Sequence, residues 1–294
     1  MTRPPVVRGS TRLIGVIGWP VDHSLSPTIH NAAFEALGMD WIDVPLAVPP
    51  GRLADAIVGL QALGFLGANV TMPHKTECAE LLGDLSEDAR RLRAVNTIVV
   101  GGGTVSGHNT DAPGFERFLR QDAGFEASGR AALVFGAGGA ARACALALAR
   151  SGVAELSVAV RDPSRADPLL EGLEGLRTSV TVVAFDEAEH VDAELVVNAT
   201  PLGAHGESLP IPSVGPGSVV VDLLYRPSDT PLLHHSREAG ASAFGGLGLL
   251  LHQAALSFEL WTGRAAPLPV MSAAALAALT DGGPSAEGGG PAGP

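Results

Sequence analysis

Ala131-Ala132-Leu133-Val134-Phe135, running into Gly136-Ala137-Gly138-Gly139-Ala140-Ala141, is the stretch on which the fold turns. Five apolar residues in succession read as a buried strand, and the glycines match the G-x-G-x-x-A turn that leads from such a strand into a helix. The first glycine permits a tight turn and the second lets backbone approach a pyrophosphate. The small third residue lets the helix lie close on the strand. The helix start then offers unpaired amides and a positive dipole end to phosphate. A glycine-rich turn alone is also met as an ordinary turn. Its place between a strand and an Ala-rich helix points to dinucleotide binding over Gly136, Ala137, Gly138, Gly139 and Ala140.

Strands and helices alternate on both sides of this turn. Toward the C-terminus, Leu156 to Val160, Val180 to Ala184, Leu195 to Asn198 and Val219 to Asp222 read as strands, and a helix near Pro113 to Ala123 precedes the turn. Toward the N-terminus, Leu13 to Gly18, Ile42 to Leu46, Gly67 to Thr71 and Asn96 to Val100 read as strands. Helical stretches from Ser26 to Leu37, Arg52 to Leu63 and Pro73 to Leu82 separate them. A helical period returns from Leu247 to Trp261 and again from Ser272 to Leu279. Alternation of this kind predicts an α/β fold with mainly parallel sheets. With 294 residues, 46% of them hydrophobic, the chain is long enough for two domains. The Gly-, Pro- and Ser-rich tail from Asp281 has nothing to bury and is expected to be disordered.

Composition removes several function classes. A formal charge of −12 and the lack of a basic cluster argue against a nucleic-acid backbone as partner, because that affinity depends on neutralised phosphates. No apolar run has signal-peptide or membrane-spanning form, so the expectation is a cytoplasmic protein without a membrane partner. Cys78 and Cys144 lack metal or redox spacing, and His23, His30, His74 and His108 show no ligand spacing, so no metal is expected.

Rare polar residues mark candidate chemistry. Lys75 is the one lysine among eighteen arginines, and unlike arginine an ammonium can release and recover a proton. It reads either as a proton donor or as a compositional stray. Tyr225 is the one tyrosine, and the five asparagines all lie in short polar motifs. Ser24 and Ser26 stand at a helix start, where two hydroxyls can face one anionic group; the same residues read equally as a plain helix cap before Pro27. Asn69, Thr71, Lys75, Asn96 and Asp111 fall at successive strand ends, the edge where open α/β sheets place ligands. Such a set suits a polyhydroxylated carboxylate. After Val160 come Arg161, Asp162 and Arg165; two arginines suit the 2′-phosphate of NADP, whereas Asp162 suits the ribose of NAD.

Taken in order, Ser24 to Phe34, Asn69 to Lys75, Ala94 to Thr97, Asn109 to Asp111, Gly136 to Arg142, Asn198 to Gly203 and Gly246 to Gln253 closely resemble the shikimate dehydrogenase family. The likeness runs from about Leu13 to Gly263. It implies a two-domain α/β fold: a mainly parallel substrate domain over residues 1–111 plus 246–280, with C-terminal helices returning to it, and a Rossmann-like NADP domain over 112–245. It implies NADPH-dependent reduction of 3-dehydroshikimate to shikimate in chorismate biosynthesis. Lys75 matches the proton-transfer lysine and Asp111 its partner. Ser24 and Ser26 would hold the substrate carboxylate with Tyr225 nearby, while Thr71, Asn96, Asp111 and Gln253 bind ring hydroxyls and Asn69 supports them. The cofactor would touch Gly136 to Ala140, Arg161, Arg165, Asn198, Ala199, Thr200, Leu223 and Gly246. Glu87 aligns with an acidic residue bordering the cofactor but reads better as a solvated helix glutamate.

The likeness has departures. The family's usual Asn-Arg-Thr turn is Val160-Arg161-Asp162 here, which removes two polar groups from the phosphate cradle. Leu223 stands where a methionine is frequent, and the Ser-x-Ser pair fits shikimate enzymes better than quinate-using relatives. The expected partners are therefore small molecules, with the chain a monomer or homodimer. A quinate or aminoshikimate dehydrogenase using NAD(H), and a non-catalytic NADP or shikimate sensor, stand as alternatives.

Overall fold

The computed structural model describes residues 7–280, and the expected disordered tail at 281–294 lies outside them. In chain order the elements are β1 (Arg12–Gly18), α1 (Ser26–Ala36), β2 (Trp41–Ala47), α2 (Leu53–Ala62), β3 (Phe65–Val70), α3 (Lys75–Leu81), β4 (Asp84–Leu85), α4 (Glu87–Leu92), β5 (Thr97–Gly101) and β6 (Thr104–His108). They continue with α5 (Asp111–Gln121), β7 (Ala131–Phe135), α6 (Gly139–Arg150), β8 (Glu155–Val160), α7 (Asp167–Gly172), β9 (Ser179–Ala184), β10 (Leu195–Asn198), β11 (Val219–Asp222), α8 (Pro231–Glu238), β12 (Ser242–Gly245), α9 (Leu247–Thr262) and α10 (Leu268–Thr280). Among the described residues no helix is long and apolar enough to cross a membrane.

The described residues divide into two compact units: 7–85, Val95–His108 and 254–280 form one, and Ser86–Ala94 and Asn109–Gln253 the other. These limits differ from the sequence-based 111/112 and 245/246 in three places, the first being a division at 108/109 in place of 111/112. Ser86–Ala94 groups with the second unit because Arg91 donates to the carbonyls of Gly172 and Glu174, Arg93 pairs with Glu171, and Arg150 pairs with Asp88. The last division falls inside α9, after Gln253, whose backbone packs against Gly114 of α5.

The first unit is a six-stranded sheet in the order β2-β1-β3-β5-β6-β4. β1 runs parallel to both β2 and β3, while β5 runs antiparallel to β3 and β6 antiparallel to β5. β5 answers to the strand read at Asn96 to Val100, but β6 and the short helix α4 are absent from the sequence reading, because a five-residue polar strand after a Gly101-Gly102-Gly103 turn and a charge-rich six-residue helix leave little apolar period to detect. α1 packs on β2 and against α10, and it meets α9 through Phe34 stacked on Phe258 at 5.3 Å and His30 edge-on to Trp261 at 5.2 Å. His30 is wholly buried; Nδ1 meets Asp43 at 2.7 Å and Nε2 lies 3.2 Å from the Ala254 carbonyl.

The second unit is a six-stranded, all-parallel sheet ordered β12-β11-β10-β7-β8-β9. Read from β9, this is the doubly wound order 3-2-1-4-5-6. Its strands bury Leu133, Val134, Phe135, Val158, Val196, Val197, Val220 and Val221, continuous apolar runs as expected of strands covered on both faces. The Ala-rich α6 is buried along most of its length, which small side chains permit. α8 and β12 are absent from the sequence reading; Thr230 caps α8 by accepting from the Leu233 amide. α5 starts at Asp111, two residues before the expected Pro113, and α10 at Leu268, four before Ser272.

One glycine of the first sheet has no room for a side chain. A Cβ on Gly67 would collide with the Ile98 carbonyl and with the Trp261 indole nitrogen, which donates to that carbonyl at 2.9 Å. Gly67→Ala is expected to cost about 3 kcal/mol through overpacking and the loss of that bond, read as a lower urea midpoint with an unchanged slope.

Candidate functional site

In the first unit the connections put the candidate residues at one edge of the sheet. β1 leads through α1 to β2 on one side, and β2 leads through α2 to β3 on the other, so the chain leaves the carboxyl ends of neighbouring β1 and β3 in opposite directions. A switch of this kind opens a crevice at the strand ends. Ser24 and Ser26 follow β1; Thr71 and Lys75 follow β3. Asn96 joins them because β5 is antiparallel, so its amino end lies at this edge, with the Val70 amide donating to the Asn96 carbonyl at 2.8 Å. The sequence reading put Asn96 inside a strand; it stands just before one.

Neither serine is a plain helix cap. Leu25 occupies the cap position of α1 without a side-chain bond, and Ser24 Oγ accepts the Ser26 amide at 3.3 Å. The Ser26 hydroxyl makes no hydrogen bond among the described residues, which leaves it for a ligand. Lys75 is the first residue of α3 and accepts the Val95 amide at its carbonyl, 2.9 Å, which ties it to the segment holding Asn96. The preceding His74 is buried, 2.7 Å from the Val48 carbonyl, and so anchors the turn. Asn69 is 5% exposed and inward, with Nδ2 donating toward the Asn96 carbonyl, Thr97 Oγ1 and Ser257 Oγ. Thr97 and Ser257 are absent from the sequence-based set, and the period of β5 and α9 marks both only as core positions.

In the second unit Gly136 ends β7 with φ +102°, and a Cβ there would press on Thr200 Cγ2 at 3.1 Å and the Ala199 carbonyl at 3.2 Å. Only glycine suits that conformation and that gap. Gly138, Gly139 and Ala140 lie exposed at the start of α6, their amides open to an anion. Arg142, one turn along, buries Nε without a partner, and desolvation, then Arg93, lowers its pKa. The turn follows β7 and the Asn198 loop follows β10, and these two strands flank the switch of the doubly wound sheet. The glycine turn, the exposed helix start and the fit of Ala199 and Thr200 against Gly136 accord with a dinucleotide lying there.

Asn198 is wholly buried and anchors its loop: Oδ1 accepts the Thr200 amide and hydroxyl at 3.0 and 2.7 Å, while Nδ2 donates to the Leu202 carbonyl and to Asp222. Asp222 also accepts from Thr230 Oγ1 at 2.6 Å and from the Leu224 amide at 3.1 Å. Leu223 donates to the Asn198 carbonyl, and Gly246 abuts Leu223 too closely for any side chain. Tyr225, two residues on, is half-buried, and that burial raises its pKa. Arg161 and Arg165 are exposed and make no ion pair among the described residues. Asp162 Oδ1 accepts the Ser164 amide and hydroxyl at 3.1 and 2.8 Å, so it caps a local turn. Asp111 opens α5, its amide held by Asn109 Oδ1 while Asn109 Nδ2 reaches the Ala94 carbonyl. Gln253 is buried, with Nε2 donating to the Leu250 carbonyl at 2.9 Å. Glu87 pairs with Arg91 on the surface of α4, as a solvated glutamate would.

An all-parallel doubly wound sheet with this turn defines the second unit as a dinucleotide-binding domain. The family model for the shikimate dehydrogenase substrate binding domain matches residues 16–98, and that for the shikimate 5'-dehydrogenase C-terminal domain matches 246–276. The chain belongs to the shikimate dehydrogenase family. It is 43% identical over 282 residues to the shikimate dehydrogenase (NADP(+)) of Geobacter metallireducens, covering 93% of this chain and 99% of that one. It is 47% identical to the enzyme of the same name from Rubrobacter xylanophilus, covering 88% and 93%. The crystal structure of shikimate 5-dehydrogenase from Listeria monocytogenes in complex with shikimate and NAD is similar at a TM-score of 0.86 and 34% identity, covering 93% and 98%.

Burial raises the Asp222 pKa above 3.8, outweighing its three donors. With a folded pKa above the unfolded one, the ionised group is a cost above the folded value that disappears as pH falls below the unfolded one. Asp222→Asn can keep the bonds from Asn198 and Leu224 at its oxygen and donate to Thr230, so its stability should lie within about 1 kcal/mol of the parent. Asp222→Ala strands three donors and should lose about 3 kcal/mol. In urea titrations across acidic pH the parent should gain stability relative to Asp222→Asn as pH falls through that window.

Proposed function

We propose that the protein is an NADP-dependent shikimate dehydrogenase that reduces 3-dehydroshikimate to shikimate in chorismate biosynthesis, acting in the cytoplasm. The observation that carries this reading is end-to-end similarity to enzymes of that name, joined to a lone lysine at the switch point of the first sheet. The first unit would be the substrate domain and the second the cofactor domain.

NADPH, when bound, supplies the hydride that reduces the substrate carbonyl. Gly136 to Ala140 would hold its pyrophosphate on the amides at the start of α6, and the Ala199–Thr200 loop, Leu223 and Gly246 would border the rest. Arg161 and Arg165 are the cations available for a 2′-phosphate, and the engagement of Asp162 Oδ1 by Ser164 supports NADP over NAD. Ser24 and Ser26 would take the substrate carboxylate, with Tyr225 as a further hydroxyl. Thr71, Asn96 and Gln253 would bind ring hydroxyls, with Asn69 behind them. As the carbonyl accepts hydride its oxygen gains negative charge. Lys75 would stabilise that charge and deliver the proton, and Asp111 would orient the reacting hydroxyl.

Purified protein with shikimate should reduce NADP far faster than NAD, and quinate should be a poor substrate. Preference for NAD or quinate would transfer the assignment to a quinate-type dehydrogenase, and cofactor binding without turnover would make the protein a sensor. Lys75→Arg keeps the charge but blocks proton exchange, so kcat should fall by about 10² to 10⁴ with shikimate affinity largely kept. Arg161→Ala should raise KM for NADP about tenfold while leaving KM for NAD alone, a salt-linked contact to phosphate being worth roughly that much.

A further inference from the structure

Helix α5 carries Asp111 at its start and Gly114 three residues later, on the same face. Alanine is a far better helix former than glycine, so α5 by itself gives no reason for a glycine there. The reason lies in α9. A Cβ on Gly114 would stand 2.9 Å from the Gln253 amide nitrogen and 3.0 Å from both its Cα and its Cβ. These atoms belong to the backbone and the root of the side chain, and no change of rotamer moves them away. Two more contacts hold the same pair of helices. A Cβ on Gly248 would strike the Phe118 ring, and the buried His252 donates from Nε2 to the carboxylate of Asp122, the residue after α5, at 3.1 Å. Gly114 faces Gln253 and Phe118 faces Gly248, so the two helices run in opposite directions at close approach.

Residues three apart on a helix have their Cβ positions about 5–6 Å from one another, so the Gln253 side chain starts within one helical turn of Asp111. We infer that Gly114 is a positioning residue: the missing side chain lets α9 come near enough to α5 to set Gln253 beside Asp111, where carboxamide and carboxylate can meet the hydroxyls of one ring. The inference rests on the reading of Asp111 and Gln253 as shikimate contacts. Non-bonded carbon atoms settle about 3.5–4.0 Å apart, so a methyl group at position 114 displaces the Gln253 backbone by about 0.5 Å or more. A hydrogen bond of about 2.9 Å stretched by that amount passes the usual limit of about 3.2 Å. The bond from His252 to Asp122 acts toward the same end, since it ties α9 to α5 one residue before Gln253.

The test is a pair of double-mutant cycles on the full-length protein, reading KM and calorimetric Kd for shikimate together with KM for NADP. Gln253→Ala and Gly114→Ala should each raise both shikimate constants about tenfold, the effect of one lost hydrogen bond, with KM for NADP unchanged. Because the glycine acts through Gln253, Gly114→Ala should add less than about twofold in the Gln253→Ala background, where independent effects would multiply to about a hundredfold. Asp122→Ala, at an exposed position, is the second probe should Gly114→Ala fail to fold; it should raise the shikimate constants about threefold in the parent and leave them unchanged in Gln253→Ala. Parental shikimate constants in the probe variant, effects that multiply with Gln253→Ala, or an equal rise in KM for NADP would each overturn the inference and leave the dehydrogenase reading standing. If Gln253→Ala itself keeps parental shikimate constants, its reading as a substrate contact fails and the inference falls with it. If the parent neither binds nor oxidises shikimate, the functional reading fails first.

Discussion

Each unit depends on one buried asparagine at the carboxyl end of a strand. Where a parallel ladder stops, the last amides and carbonyls lose their strand partners, and burying them unpaired costs about 1–3 kcal/mol apiece. Asn69 on β3 meets this constraint by binding the Asn96 carbonyl and the hydroxyls of Thr97 and Ser257; Asn198 on β10 meets it by binding Thr200, Leu202 and Asp222. A carboxamide offers donors and acceptors at once without carrying charge; Asn198 uses both ends, whereas Asn69 uses Nδ2 alone and buries its Oδ1 unpaired. The loops these asparagines hold are those that carry the candidate chemistry.

The two sheets reach the same solution by different routes. In the second unit all neighbours are parallel, and the crevice lies where connections reverse between β7 and β10. In the first, the reversal lies between β1 and β3, and antiparallel β5 then brings a segment beside the same edge by its amino end. A parallel strand in that place would have pointed Asn96 at the opposite edge of the sheet, as the alternation of strand direction requires.

Charge is distributed to suit small anions on an acidic chain. The protein carries −12 overall, yet its exposed Arg161 and Arg165, the start of α6 and the partly desolvated Arg142 all lie in the second unit. Local cations and amide dipoles act over a few ångströms, whereas the net charge is screened within about 10 Å at ordinary salt. Global acidity and anion recognition are therefore compatible. Asp162 illustrates the same locality: its carboxylate faces a neighbouring serine rather than acting as a general repellent.

The sequence by itself determined the element order around the glycine turn, because apolar runs and glycine punctuation are local signals. Ala131–Phe135, Leu195–Asn198 and Val219–Asp222 have the bounds read from the sequence. It also singled out Lys75, Asn69, Asn96 and Asn198 by scarcity, and the ordered motifs of the family. It did not reveal β6, α4 or α8, whose short or polar segments lack a period, nor that Ser86–Ala94 joins the second unit through Arg91, Arg93 and Arg150. Only the tertiary structure decided that β5 runs antiparallel and that Thr97 and Ser257 meet across 160 residues of chain. Hydrogen bonds between distant segments leave no trace in the periodicity of either one, so a threonine and a serine that read as core become polar partners only when the sheet and α9 are brought together.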